Sequence, residues 1–345
     1  DNRARGLMAD VTLSLADAQA LAEAAFRASG ATAACAAATA RALVSAQADG
    51  QGGHGLMRIL SYTEQLKAGK ANPAATPRLE ELSPTAVAID AGFGLAYEAL
   101  ELAVAETARR AKGAGVAIAA IRRSHHFGQA GAHAERLAER GLIGLVFGNS
   151  PKAIAFWGAA KPAMGTNPIA FAAPMPAGAP PLVIDLAVSV AARGKVVAAE
   201  KAGTEIPADW ALDAKGDPTT DPAEAMRGSM APVGGAKGAA LALMVEVLAA
   251  GVTASHFGFE ASSLFDAEGA PPNLGQTLLA IDADLLSGGA FLGRMGALRD
   301  AIDAADGARL PGQSRIAARA KAAAEGVSLP QALFDEIKAI AGEAA

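Results

Sequence analysis

Two adjacent histidines offer acid-base chemistry at one point of the chain. The sequence contains five histidines, and His125 and His126 lie side by side between a strand-like run at 115–121 and a helix-like run at 129–139. Loops that a rigid scaffold holds often contain functional residues, so this junction favours a catalytic histidine. A core or capping histidine bonded to a backbone carbonyl is the alternative, and the segment alone leaves both interpretations open.

A polar segment downstream suits a ligand. Residues 165–168 read Gly-Thr-Asn-Pro, so Thr166 and Asn167 add a hydroxyl and an amide to the backbone donors of a short stretch. This combination suits a polar ligand better than a hydrophobic core. The alternative is that both residues only form the turn before Pro168.

Four glycines at 50–55 surround a third histidine, His54, and Arg58 follows four residues after it. Glycines let the backbone approach a ligand closely. A helix that begins near residue 55 would project His54 and Arg58 toward one face. The planar guanidinium of Arg58 matches a carboxylate, whereas a solvated helix charge is the alternative for this residue.

Asp185 lies near the end of an apolar run, 182–186, that predicts a short strand. A carboxylate in such a strand is costly to bury unless it is paired. A histidine is a natural partner, because a nearby cation stabilises the ionised acid.

A second glycine-rich stretch predicts an anion site. Residues 232–238 read Pro-Val-Gly-Gly-Ala-Lys-Gly and lead into a predicted helix at 239–250. Free N–H groups at a helix start attract phosphate, and Lys237 adds a charge; a tight turn with a solvated lysine is the alternative. This stretch lacks the P-loop spacing, and the Gly-x-Gly-x-x-Gly match at 50–55 follows a helix rather than a strand, so neither predicts an ordinary nucleotide fold.

The elements that must position these residues alternate through the middle of the chain, between alanine-rich helices at both ends. Ser14 and Asp17 form a predicted capping box ahead of a helix that Gly30 ends. The terminal helices are expected to pack on each other. Further strands are predicted at 85–90, 115–121, 142–147 and 278–281, and further helices at 32–48, 98–111, 129–139 and 187–199.

Length and composition exclude several classes of protein. The 345 residues suffice for two or three domains with sizeable cores. The formal net charge is −5, the charges are interspersed, and only 4% of residues are aromatic. The sequence therefore has neither the basic stripe nor the stacking platforms that nucleic-acid binding requires, and no basic stripe for an anionic membrane.

The same composition indicates a cytoplasmic protein without a metal site. Cys35 is the one cysteine, so neither a disulfide framework nor a thiolate metal cage is expected. The longest apolar run, 238–254, contains Glu246 and is short for a membrane span. Residues 1–7 are polar and lack the apolar core of a secretion signal.

Taken together and in order, the motifs resemble those of the type-2 malate/L-lactate dehydrogenase family. That family includes ureidoglycolate and sulfolactate dehydrogenases and delta-1-piperideine-2-carboxylate reductases. The resemblance spans nearly the whole chain and is specific because several motifs keep their order. The motifs are Gly53-His54-Gly55, Ser124-His125-His126-Phe127-Gly128, 165–174, Asp185-Leu186-Ala187, 217–222, Gly235-Ala236-Lys237-Gly238 and Asn273-Leu274-Gly275-Gln276.

The resemblance implies an α/β fold: a non-Rossmann NAD(P)-binding domain with a mixed sheet, plus a helical domain built from both termini. It implies a helical domain at 10–80 and 296–345, a substrate and dimer domain at 81–125 and 276–295, and an NAD(P)-binding domain at 126–275. It also implies NAD or NADP as cofactor, a small carboxylate substrate and a homodimer.

The resemblance further assigns roles to single residues. His126 matches the histidine that exchanges a proton with the substrate, Asp185 an aspartate that acts with it, and His54 the histidine of a Ser-His-Gly turn. Arg58 would bind the substrate carboxylate, with Thr166 and Asn167 orienting the substrate or the carboxamide. The matching cofactor positions are Asn149, Asp185, Leu186, Ala187, Lys237, Gly238 and, near the adenosine end, Arg309, Pro311 and Gly312.

Gly53 departs from the family, which commonly has serine there, so a proton relay through that serine is not available to this chain. The leading expectation is hydride transfer between nicotinamide and a 2-oxo or 2-hydroxy acid of the malate, lactate, sulfolactate or ureidoglycolate type. The alternatives are an NADPH-dependent reductase of cyclic ketimines, toward which Ser124-His125-His126-Phe127 leans, and a non-catalytic nucleotide-binding protein. Arg294 and Arg309 are candidates for the contact that separates NADP from NAD.

Overall fold

The structure, a computed structural model, describes residues 10–342. The expectation of no secretion signal at 1–7 lies outside the described residues, as do the last three residues of the C-terminal helical segment. The described chain folds into helices and strands that alternate as predicted in its middle. The helices are α1 Leu15–Ala28, α2 Ala33–Ala48, α3 Arg58–Lys67, α4 Tyr97–Ala114, α5 Ala130–Ala138, α6 Arg193–Ala202, α7 Pro222–Arg227, α8 Ala236–Glu246, α9 Ala283–Leu286, α10 Phe291–Asp303, α11 Gln313–Glu325 and α12 Gln331–Ala341.

The strands form three sheets. The two-residue and three-residue strands form the two smaller sheets, and the longer ones form a central sheet. The strands are β1 Val11–Leu13, β2 Arg78–Ser83, β3 Ala86–Asp90, β4 Val116–Ser124, β5 Ile143–Gly148, β6 Ile154–Ala155, β7 Pro162–Met164, β8 Ile169–Ala173, β9 Leu182–Leu186, β10 Ala211–Leu212, β11 Ser229–Met230, β12 Leu274–Ile281 and β13 Val327–Leu329.

The central sheet has seven strands in the order β2-β3-β4-β12-β5-β8-β9. Neighbouring strands are antiparallel except β3 and β4, which run parallel and are joined through α4. A parallel pair needs a long crossover, and α4 supplies it. The sheet is therefore mixed and differs from the all-parallel order of a Rossmann fold, which confirms the predicted fold class.

The main core lies between this sheet and the helices on it. Its fully buried side chains include Phe26, Leu43, Leu100, Ile121 and Leu137. Burying one such side chain contributes roughly 1.5–3 kcal/mol. The many alanines on α2, α4 and α5 let these helices approach closely, so the low aromatic content still gives a packed core.

Both ends of the chain join one helical layer. Strand β1 pairs antiparallel with β13, and α1 packs against α2 and α12. Arg319 on α11 forms ion pairs with Asp49 after α2 and Glu135 on α5. The predicted packing of the terminal helices on each other is thus confirmed. The three-domain division stays a prediction, and the central sheet contains residues from all three of its units, because β2 begins at Arg78.

The second sheet, β10-β11-β6-β7, forms a small lobe together with α6 and α7. Its core is built from Ile154, Met164, Val196 and Ile206, which are buried. Because β5 leads into this lobe and β8 leads out of it, the small lobe lies at one end of the central sheet.

The predicted helix at 187–199 was wrong in its first part. Residues 188–190 are not helical: Val188 N–H donates to the Thr166 carbonyl at 2.8 Å, and Val190 N–H to the Ala231 carbonyl at 2.9 Å. These partners are distant in sequence, so local helix propensity yields to tertiary pairing. The helix begins only at Arg193.

Candidate active site

A cavity of about 380 Å³ lies between the central sheet, α3 and the small lobe. Its size falls within the range of roughly 300–1,000 Å³ typical of small-molecule sites. Six of the residues singled out from the sequence line it. They are His54, Arg58, His126, Thr166, Asp185 and Ala187.

Arg58 begins α3 and is oriented by the glycine-rich turn before it. Its Nε donates to the Gly53 carbonyl at 2.8 Å, while His54 ends the 3-10 turn Gly52–His54. Within residues 10–342 no carboxylate lies in salt-bridge distance of Arg58. The guanidinium therefore has no internal acid to neutralise it and is suited to an anionic ligand.

His126 is held from behind by a tyrosine. Its Nδ1 lies 2.5 Å from the Tyr62 hydroxyl, which lies 3.2 Å from the Tyr97 hydroxyl. Each of these hydroxyls can donate or accept, so either nitrogen of the neutral ring can carry the proton. The bond to Tyr62 holds Nδ1 and leaves Nε2 as the nitrogen available to the cavity, where it can accept a proton or donate one.

The surroundings keep His126 neutral. Burial lowers its pKa well below the ordinary value, and Arg58, His54 and His125 add to this in that order. His54 stacks on His126 with ring centroids 5.4 Å apart, and burial together with Arg58 lowers the pKa of His54 to about 4. Two neutral imidazoles therefore face the cavity at neutral pH.

His125 does not line the cavity. It is 1% exposed, and its ring meets the Tyr62 ring edge-on. Burial, with Lys70 and Arg58, lowers its pKa to about 3. Of the adjacent histidines, His126 is the one in the cavity.

Asp185 reaches the cavity from β9, but not through a histidine. Its Oδ2 accepts from the Gly131 N–H at 2.7 Å, in the first turn of α5. A Cβ on residue 131 would lie 2.9 Å from the Asp185 Cβ, so glycine is required for this approach. Desolvation raises the pKa of Asp185 more than Gly131 and Arg315 lower it. The expected histidine partner is corrected: Tyr62, not Asp185, is bonded to His126.

The expectations for Asn149 and Asn167 as ligand contacts are also corrected. Both side chains are fully buried and point at Glu246 on α8: Asn167 Nδ2 donates to Oε1 at 2.9 Å, and Asn149 Nδ2 to Oε2 at 3.4 Å. The same carboxylate accepts from the Gly165 and Gly258 N–H groups. Neither side chain lines the cavity, and both amides hold neighbouring backbone through Glu246.

We expect Glu246→Leu to lower the free energy of unfolding by roughly 3 kcal/mol or more, because it leaves the buried Gly165 and Gly258 N–H groups without their acceptor and takes one of two acceptors from each of the Asn149 and Asn167 amides. Glu246→Gln, which keeps one acceptor oxygen, should lose less. Urea denaturation measures both. A loss under about 1 kcal/mol for Glu246→Leu would contradict the assignment of this carboxylate as the hub of the network.

The remaining cofactor expectations fall outside the cavity lining. Leu186 is 59% exposed, and Lys237 and Arg309 are exposed as well. Gly238 is buried, and a Cβ there would lie 2.0 Å from the Val233 carbonyl oxygen. Its role is therefore close packing at the start of α8. Pro311 is exposed, and Gly312 caps α11.

Sequence reasoning missed several lining residues. Lys152 and Arg193 come from the small lobe, and residues 263–265 form part of the wall. Tyr62 was also missed, although its four-residue spacing from Arg58 places both on one helix face. Arg193 lies in the stretch wrongly assigned to the middle of a helix, which hid its place at a helix start.

The small-lobe side of the cavity fits the phosphates of a dinucleotide. Helix α6 has no side-chain cap at its N-terminus, and its first residue is Arg193. A Cβ on Gly194 would meet no atom within 4 Å, so the backbone there is open. Free N–H groups, a helix dipole and the cations Lys152 and Arg193 are the donor set that phosphate prefers.

The depressed pKa of His126 has a consequence for activity. Because its folded pKa lies below the reference value, its base form persists as pH falls through the neutral range. We expect kcat/KM for oxidation of the alcohol to change less than about twofold from about pH 8 to about pH 6. A histidine with a pKa of about 6.5 would lose about fourfold over this interval, and such a loss in initial rates would contradict the neutral imidazole.

Two features of residues 10–342 bear on other classes of site. Nowhere in this range do three or more His, Cys, Asp or Glu side chains gather as a metal-binding group. In the same range no helix has the length and apolarity to cross a bilayer.

Comparison with known proteins gives consistent relatives. A family model described as malate/L-lactate dehydrogenase matches residues 13–338. The (2R)-3-sulfolactate dehydrogenase (NADP(+)) of Chromohalobacter salexigens is 48% identical over 329 residues, 95% of this chain and 98% of the relative. Delta(1)-pyrroline-2-carboxylate reductase 1 of Burkholderia ambifaria is 40% identical over 333 residues, 96% of this chain and 97% of the relative.

The fold has a close match among solved structures. The crystal structure of delta1-piperideine-2-carboxylate reductase from Pseudomonas syringae pvar. tomato superimposes with a TM-score of 0.90. The match covers 96% of this chain and 99% of that chain at 38% identity. Both the sequence and the architecture are therefore shared along nearly the whole length.

Proposed function

Because the chain belongs to the malate/L-lactate dehydrogenase family, we propose that the cavity around His126 is its active site and that a 2-oxo acid, or the corresponding 2-hydroxy acid, reacts there. The family membership confirms the resemblance of the motifs. The chain is an NAD(P)-dependent oxidoreductase of a carboxylate-bearing substrate. The observation that most supports this site is the convergence of Arg58, His126 and His54 on one cavity.

Each residue has a proposed part in the reaction. Arg58 binds the substrate carboxylate, since its guanidinium has no acidic partner among residues 10–342. His126 presents Nε2 to the substrate oxygen or nitrogen and exchanges the proton there. His54 stacks on His126 and shields it from water. Asp185, anchored on Gly131, shapes the wall next to the reacting carbon, and Thr166 offers its hydroxyl.

NAD or NADP supplies or accepts the hydride when bound. Arg193, Lys152 and the first turn of α6 would hold its phosphates, with Ala187 beside them in the lining. Val190 N–H donates to the Ala231 carbonyl, and Val233 N–H donates to the Val188 carbonyl. Because Val188 directly follows Ala187, these bonds bring the segment that leads to Lys237 next to the cavity lining. We propose that Lys237 contacts a cofactor phosphate from outside the cavity lining. Leu186 and residues Arg309 to Gly312 would contact the cofactor toward its adenosine end.

We expect Arg193→Ala to raise the cofactor KM by about tenfold with kcat within about twofold, because it removes one charge-assisted bond to phosphate. Lys237→Ala should raise it less, since Lys237 is exposed and lies outside the lining. Arg227→Ala, on the neighbouring helix α7 and paired with Glu224, is the matched control. An unchanged KM for both Arg193 and Lys237 variants would remove the phosphate assignment.

The substrate assay decides between the candidate reactions. Loss of absorbance of reduced nicotinamide is followed with NADH and NADPH on 2-oxo acids, including sulfopyruvate, and on cyclic imino acids. We expect turnover on 2-oxo acids. Preference for the imino acids would instead support a ketimine reductase, which the relatives named pyrroline-2-carboxylate reductases favour as second candidate. NADPH binding without any turnover would mean a non-catalytic protein.

We also propose a homodimer in the cytoplasm. Helix α8 and the turn after it expose Leu241, Leu243, Met244 and Val247, each more than a third exposed. An apolar stripe of this kind marks an interaction surface. Light scattering should give a mass twice that of one chain. The double variant Leu243→Glu, Val247→Glu should give the mass of a single chain. The buried Cys35 without a disulfide partner fits a reducing compartment.

A further inference from the structure

One loop lines the cavity without belonging to either lobe. The wall loop, residues 261–266, contributes Ala261, Ser263, Leu264 and Phe265 to the lining. It has no regular secondary structure. Leu264 is 7% exposed, whereas Phe265 is 60% exposed. An apolar pair therefore forms one side of the cavity.

Two buried polar side chains hold this loop in place. Gln65 Nε2 donates to the Leu264 carbonyl at 3.1 Å and to the Asp266 carbonyl at 2.9 Å. Lys70 Nζ donates to the Asp266 carbonyl at 3.1 Å and pairs with its carboxylate at 2.8 Å. Gln65 is 0% and Lys70 1% exposed. Burying an ammonium group is costly unless it is paired, and within residues 10–342 the hydrogen-bond partners of Lys70 Nζ all lie on Asp266.

Gln65 connects the wall loop to the rest of the site, because it lies on α3 together with two other residues of the site. Arg58, Tyr62 and Gln65 on α3 are spaced by four and three residues, so they share one helix face. Arg58 is directed at the cavity, Tyr62 contacts His126, and Gln65 holds the wall loop. The wall therefore has a fixed place relative to Arg58 and His126, and the small lobe with its cations lies on the other side.

We propose that Leu264 and Phe265 select the substrate by the size of the group next to its 2-oxo carbon, and that Gln65 and Lys70 are positioning residues for this wall. The inference rests on the proposed function, since it places the carboxylate at Arg58. Arg58 locates the substrate carboxylate, and His126 locates the reacting carbon. The remaining substituent on that carbon is therefore the part of the substrate that contacts the wall loop. Compact substituents fit; long apolar ones meet Leu264.

The first experiment changes the wall itself. Leu264→Ala and Phe265→Ala are compared with wild type on pyruvate and on a larger, branched 2-oxo acid. The ratio of kcat/KM should shift by about tenfold toward the larger substrate, with the cofactor KM within about twofold. Phe265 is mostly exposed, so its variant is expected to fold. An unchanged ratio in both variants would overturn the proposal.

The second experiment tests the anchors. Gln65→Leu and Lys70→Met should bring the two substrates' kcat/KM values closer together and speed proteolytic cleavage at 261–268. Lys67→Met, exposed on the same helix, is the matched control, and Lys70→Arg should restore the preference in part. Lower stability with an unaltered substrate ratio and cleavage rate would overturn the positioning role.

Failure of the proposed function and failure of the wall-loop proposal would give different experimental results. If wild type turns over no 2-oxo acid or imino acid, the proposed function fails. If it turns over substrates but the wall variants keep its selectivity, only the present inference fails. The cleavage measurement needs no turnover, so it reports on the anchors in either case.

Discussion

His126→Gln is expected to lower kcat by about two to four orders of magnitude, while the dissociation constant of the cofactor changes less than about twofold. The imidazole is the group on the sheet side of the cavity that can exchange a proton at neutral pH. Tyr62 fixes its Nδ1 from behind, so glutamine cannot reproduce a proton-exchanging Nε2 in that place. Steady-state rates and fluorescence titration with the reduced cofactor measure the two quantities.

The neighbouring histidine provides the matched control. His125 is buried and neither of its ring nitrogens has a hydrogen-bond partner among the described residues, so His125→Leu removes little that stabilises the fold. We expect its kcat to stay within about threefold of wild type. Equal loss of turnover and cofactor affinity in His126→Gln, or a loss in His125→Leu as large as in His126→Gln, would assign His126 a structural role.

Arg58→Met is expected to lower kcat/KM for the carboxylate substrate by about 10² to 10⁴, mainly through KM. Removing one partner of a close charge pair inside a cavity costs several kcal/mol, and no other cation on α3 faces this side. Arg58→Lys keeps the charge without the planar fork and should recover only part of the loss. Cofactor KM should stay within about twofold.

The outcome that contradicts this role is specific. If Arg58→Met binds substrate normally but unfolds more easily, Arg58 serves only to hold the Gly53 turn through its Nε bond. Thermal unfolding of both variants, measured beside the kinetics, separates the two effects.

Local signals in the sequence were enough for many elements. Ser14 and Thr32 are the N-caps of α1 and α2, and the predicted strand at 182–186 has the bounds of β9. Capping and periodicity act within a few residues, so they can be read without the fold. By contrast, β2 was not predicted, because all six of its residues are exposed and show no apolar alternation.

The candidate site likewise contains residues that local sequence signals identify and residues whose role depends on the fold. Histidine, arginine and aspartate at glycine-rich junctions identified His54, Arg58, His126 and Asp185, which meet in one cavity although they are far apart in sequence. Whether a polar residue faces a ligand or an internal partner depends on the fold. Asn149 and Asn167 could not be separated from true ligands until Glu246 was placed behind them.

Gly53 illustrates a departure that the fold accommodates. A Cβ at this position would meet no atom within 4 Å, so a serine would fit there without strain. Its absence is therefore not a requirement of packing. Tyr62, held by Tyr97, already orients His126 without it.

The most direct measurement is a crystal structure of the chain with NADPH and oxamate, an unreactive analogue of a 2-oxo acid. The account predicts the oxamate carboxylate on the Arg58 guanidinium, its carbonyl oxygen at His126 Nε2, and the nicotinamide in the same cavity. A nicotinamide or oxamate bound elsewhere, with His126 and Arg58 contacting neither, would contradict it.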